Sequence, residues 1–101
     1  MQFGLADNRF EKIRAVLSRF ATIDEVIIFG SRAMGNYRPS SDIDLALKGQ
    51  NIPHTDVLKL RRALEELPYG YEYDVLDYCL ISNPELIQHI DDFGITFYRK
   101  Q

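Results

Sequence analysis

Two aspartates one residue apart, Asp42 and Asp44, follow a Gly30-Ser31 step after ten intervening residues. Each half has its own chemistry. A glycine and a serine at the end of an apolar run can present backbone N–H groups to an anion, and the glycine lets a phosphate approach with no β-carbon in the way. An Asp-x-Asp pair in an extended segment projects both carboxylates to one face, with Cα atoms about 6.5–7 Å apart, so both can reach one divalent ion or two adjacent ions. Magnesium suits that donor set, because it takes one or two carboxylates and completes its shell with water and phosphate oxygens. Two such ions about 3.5–4 Å apart would activate an attacking oxygen and stabilise a leaving pyrophosphate. The Ser31 hydroxyl adds a donor, and Arg32 or Arg38 a candidate charged clamp. Either half alone is a common coincidence. Together they point to chemistry at a phosphate.

The elements that must hold these groups can be read from hydrophobic spacing. Residues 8–20 carry Phe10, Ile13, Val16, Leu17 and Phe20 at three- and four-residue intervals, which predicts an amphipathic helix capped by Asp7 or Asn8. Residues 25–29 are almost wholly apolar and predict a strand buried on both faces, ended by Gly30. Ser31 to Met34 can form one helical turn that Gly35 stops, and Asn36 to Ser41 reads as a loop broken by Pro39. Residues 42–48 alternate: Asp42, Asp44 and Ala46 point one way, Ile43, Leu45 and Leu47 the other. A second amphipathic helix is expected over 55–67 with Thr55 as its cap, and a tyrosine-rich strand over 71–78. Asn83-Pro84 opens a third helix that Gly94 closes, and Ile95 to Arg99 forms a last, edge strand. The expected fold is α+β (mixed α/β): a mixed sheet of about four strands with helices packed on it, in a single domain over 1–101.

Composition bounds the rest. With 101 residues, 46% hydrophobic and 27% charged, the chain has the make-up of an ordinary globular domain. No apolar run is long enough for a membrane span and the first residues lack a signal-peptide pattern, so the expected location is cytoplasmic. A net charge of −3 argues against stable nucleic-acid binding, which needs a basic patch. His54 and His89 have no partner at zinc-ligand spacing, and Cys79 reads as an idle or buried thiol. Arg61-Arg62 reads as a solvated or interface pair on its helix.

The stretch Gly30-Ser31-Arg32-Ala33-Met34-Gly35, then Arg38, then Ser41-Asp42-Ile43-Asp44-Leu45, resembles the DNA polymerase β-like nucleotidyltransferases, and most closely their minimal (MNT) branch. The resemblance covers most of the chain, with its specific part at residues 29 to 45. It implies a Mg²⁺-dependent transfer, with two ions, in which Asp42 and Asp44 bind metal while Gly30, Ser31, Arg32 and Ser41 bind the nucleotide. It implies a third carboxylate on a later strand, at once a metal ligand and a catalytic group. Asp74 and Asp77 are the candidates, and strand parity puts them on opposite faces. The family pattern selects Asp74, with Glu72 on the same face and Asp77 as a strand-end carboxylate.

The resemblance further implies an antitoxin that transfers AMP from ATP to a tyrosine of an all-helical HEPN-type toxin, with a homo- or hetero-oligomer possible. Tyr37, Tyr69 and Tyr71 are candidate interface residues. Two alternatives stand beside this. One is a nucleotide-binding antitoxin that neutralises its partner by complex formation alone. The other is a nucleotidyltransferase of a small hydroxylated substrate.

Overall fold

The computed structural model describes residues 1–101. The elements run α1 (Asp7–Leu17), β1 (Glu25–Phe29), α2 (Ser31–Met34), β2 (Ile43–Lys48), α3 (His54–Glu65), β3 (Tyr73–Asp77), a 3₁₀ turn (Tyr78–Leu80), α4 (Pro84–Phe93) and β4 (Ile95–Arg99). The strands lie in the order β3-β2-β1-β4. β1 is antiparallel to both β2 and β4, whereas β2 and β3, joined through α3, are parallel. A parallel pair needs a crossover of this kind, since a tight turn can only reverse the chain.

Period-two alternation sorts the sheet into two faces. Ile43, Leu45 and Leu47 of β2 join Val26, Ile28, Tyr73 and Val75 in the main core, under Ile13, Val16 and Leu17 of α1 and Val57, Leu60 and Leu64 of α3. On the other face Ile27, Phe29 and Ala46 pack with Ile90 of α4. β1 is buried on both faces because helices cover both. In β4 the pairing steps from Val26–Tyr98 to Ile27–Thr96 and leaves Phe97 as an extra residue. That bulge lets Phe97 and its neighbour Tyr98 both enter the main core, against strict alternation.

Several expected boundaries move, each for a local reason. α1 begins behind Ala6, with no side-chain cap; Asp7 lies in its first turn and pairs with the Met1 amine at 3.0 Å. α3 begins at His54 behind Pro53, so Thr55 is inside the helix instead of capping it. β3 starts at Tyr73, beyond Gly70 at φ +71°, and stops at Asp77. There the Asp77 carboxylate accepts a hydrogen bond from the Cys79 N–H at 3.1 Å and caps the 3₁₀ turn. The cap on α4 is the expected one: Asn83 Oδ1 accepts from the N–H groups of Glu85 and Leu86 at 2.9 and 3.4 Å. No helix is long and apolar enough to cross a membrane.

Candidate active site

Strand register builds the site. Phe29, the last residue of β1, lies opposite Asp44 of β2, and Asp44 lies opposite Asp74 of β3. Asp42 stands exposed one residue before β2, Asp74 is exposed, and Asp44 is half-buried between its neighbours. Their mutual field shows in the chemistry of Asp44. Burial first, then repulsion from Asp74 and Asp42, pushes its carboxyl from 3.8 up to about 6, and His89 pulls the other way.

Asp44 also explains the glycine. Gly30 has φ +76° and ψ −157°, a region essentially reserved for glycine. A β-carbon built there would run into Asp44 Oδ2. Gly30→Ala is therefore expected to cost about 2 kcal/mol, a fall of roughly 10 °C in Tm, and to displace the Asp44 carboxylate. A thermal melt checks it, and an unchanged Tm would show that the turn relaxes freely.

After Gly30, α2 occupies a single turn: Met34 N–H donates to the Gly30 carbonyl at 3.1 Å and Gly35 N–H to that of Ser31 at 3.0 Å. The N–H groups that open this turn have no acceptor within it, as at any helix start. Ser31 is half-buried beside them.

Arg32 takes a different role from the expected clamp. Only 2% of the residue is exposed. Its Nε and Nη2 donate to the Ser41 carbonyl at 3.1 and 2.9 Å, Nη2 also to the Pro39 carbonyl at 3.2 Å, and Nη1 to the Phe3 carbonyl at 2.9 Å. Its guanidinium stacks over Tyr71 and Tyr37, with centroids 5.2 and 5.6 Å away. Arg32 therefore ties the 36–41 loop to the N-terminal segment, with its donors spent on the backbone. Ser41 belongs to the same arrangement: its carbonyl serves Arg32 and its Oγ accepts from the Arg38 N–H at 2.7 Å. Arg38 itself is exposed.

Beside Asp42 opens a cavity of about 640 Å³, whose walls include Arg9, Tyr69, Tyr71 and Glu72. Arg9 donates to the Tyr71 hydroxyl at 2.9 Å and lies 4.9 Å over the Tyr69 ring. Tyr37 is half-buried, with its ring against Gly4. Cys79 is exposed. His89, set aside on sequence grounds as a zinc ligand, reaches the site from α4: its ring meets Phe29 edge-on at 6.2 Å. Its spacing from residues 30–44 carries no signal, because only the topology brings α4 across the Asp44 face.

No group of three or more His, Cys, Asp or Glu side chains closes into a metal cage by itself. The residues nonetheless suit a divalent ion. Burial first, then the charges of Asp74 and Asp42, raise Asp44, so a cation among these carboxylates would relieve it, and magnesium takes part of its shell from water and phosphate.

A four-stranded mixed sheet thus sets Asp44 and Asp74 side by side next to a glycine turn. The family model described as "Polymerase beta, Nucleotidyltransferase" matches residues 11–101, and the chain belongs to that family. Within it the likeness is to minimal nucleotidyltransferases. A structure assigned to one is 26% identical, with a TM-score of 0.67 over 94% of this chain and 95% of that one. A toxin–antitoxin complex with AMP-PNP matches at 20% identity and a TM-score of 0.71, over 96% of this chain and 76% of that one. The complex of a tri-AMPylated Shewanella oneidensis HEPN toxin with an MNT antitoxin matches at 19% and 0.68, over 93% and 72%. At these identities the two complexes share the fold with this chain; their nucleotide and toxins are their own. No curated protein sequence matches the chain.

Proposed function

We propose that this nucleotidyltransferase is an antitoxin that transfers AMP from ATP to a tyrosine of a helical HEPN-type partner. The observation that carries the reading is the register setting Asp44 between Asp74 and the Gly30 turn. The neighbouring structures that include an AMPylated HEPN toxin and a toxin–antitoxin pair with AMP-PNP support the choice of partner and nucleotide.

In this reading the N–H groups after Gly30, with the Ser31 hydroxyl, hold the triphosphate. Asp42, Asp44 and Asp74 hold magnesium, two ions in the full reading. When bound, the metal neutralises charge on the phosphates and favours deprotonation of the acceptor. The tyrosine oxygen bonds to the α-phosphorus, the bond from that phosphorus to the bridging oxygen breaks, and pyrophosphate leaves. Asp74, exposed at the sheet edge, takes the tyrosine proton. The cavity lined by Asp42 and Glu72 opens beside the first of these carboxylates and gives an acceptor room to approach.

The test is incubation with α-labelled ATP, Mg²⁺ and the HEPN-type partner. Label is expected on a partner tyrosine, with none when Asp42 and Asp44 are both asparagine. An unlabelled partner, in a preparation that binds ATP, would rule out AMP transfer. Full neutralisation by the double variant would assign the effect to complex formation.

A further inference from the structure

We propose that His89 is a phosphate-contacting residue, donating a ring N–H to the polyphosphate of a nucleotide laid along Gly30-Ser31. This rests on the reading that a nucleoside triphosphate binds at that turn.

The position of His89 is fixed by packing. α4 crosses the same sheet face that carries Asp44, with Ile90 buried against Ile27, Phe29 and Ala46 and with Leu86 packed at the margin. One residue before Ile90, the imidazole stands edge-on to Phe29 at 78° and tilted against Phe93 at 5.5 Å. Phe29 immediately precedes Gly30 and is the strand partner of Asp44. The imidazole thus stands on the α4 side of the sheet, against the residue that leads into the turn.

The ring is also uncommitted. The side-chain hydrogen bonds of α4 and its cap are made by Asn83, Gln88, Asp91 and Asp92, none by His89. It is half-buried and so retains a face open to a ligand. The site needs such a donor. Carboxylates dominate it, and the guanidinium of Arg32 is engaged with the carbonyls of Phe3, Pro39 and Ser41. An imidazole carries at least one N–H in either protonation state, so the contact does not depend on ionisation.

Binding of Mg²⁺·ATP, measured by calorimetry on the whole chain, tests the assignment with two variants. His89→Phe keeps an aromatic ring against Phe29 and Phe93 but removes the donor. His89→Gln keeps a donor and removes the ring. The expected result is ATP affinity lowered by about tenfold or more in His89→Phe, with Tm unchanged, and recovered in large part in His89→Gln. ATP binding by His89→Phe as tight as in the native chain would overturn the contact. Equal losses in both variants would overturn the donor role. Failure of the native chain itself to bind ATP would overturn the underlying reading of the turn, and this contact with it.

Discussion

Asp44→Asn is expected to give a chain more stable than the native protein at pH 8 but slower in transfer by about a thousandfold. The native carboxyl lies at about 6, raised from 3.8 by burial and by the charges of Asp74 and Asp42. A folded value above the unfolded one means that the fold favours the protonated form. The contribution of this group to stability is therefore fully present below about pH 4 and is lost as pH rises through about 6. Asparagine removes the penalty without changing the shape. The carboxylate is partly open to water, so the gain at pH 8 is screened to about 1 kcal/mol, or roughly 5 °C in Tm. Melts of both proteins should converge near pH 4. Activity should move the opposite way: in the proposed reading Asp44 is a metal ligand, and its loss removes several kcal/mol of charge stabilisation, about a thousandfold in rate. A variant less stable than the native chain at pH 8 would contradict the assigned repulsion, and one that retains the native rate of transfer would contradict the assigned role. Such a trade of stability for function is the usual behaviour of an active site.

The second large effect belongs to Arg32. Replacement by methionine keeps much of the apolar stem but withdraws the donor from three carbonyls, those of Phe3, Pro39 and Ser41. Each polar group left buried without a partner costs about 1–3 kcal/mol, so a total loss of about 4 kcal/mol is expected after partial relaxation. That is a large share of the stability of an ordinary domain, about 5–15 kcal/mol. Arg32→Lys separates this role from a phosphate clamp. A clamp would keep most of its function with a lysine, and Tm would hold. A planar fork spread over three carbonyls cannot be replaced by a point donor, so Tm should fall steeply in the lysine variant as well. An unaltered melt for Arg32→Lys would return Arg32 to the nucleotide.

Local physics made part of this site legible in the chain. Alternation over 42–48 separates Asp44 and Ala46 from Ile43, Leu45 and Leu47 with no knowledge of the fold, since the strand period is two. The same parity separates Asp74, which comes to lie beside Asp44, from Asp77, which caps the turn after β3. The Asn83-Pro84 cap could be read because its partners are only two and three residues away. Arg32 could not be read in this way. An arginine next to Gly-Ser suits a phosphate clamp and a backbone brace equally well, and what decides is the carbonyl of Phe3, 29 residues away. His89 was hidden for a related reason. A helix stripe shows which face is buried, but not which side of the sheet receives it.

The pairing of β2 with β3 makes the chemistry a reporter of correct assembly. Asp74 is flanked by Tyr73 and Val75, both held in the main core. A slip of one residue in β3 would turn those two outward, drive Asp74 beneath the helices and place an aromatic or aliphatic side chain beside Asp44. Misalignment would therefore cost the core and the carboxylate set at once. A chain whose sheet is compact but out of register would be silent, and turnover would measure the fraction of molecules whose parallel pair is correctly aligned.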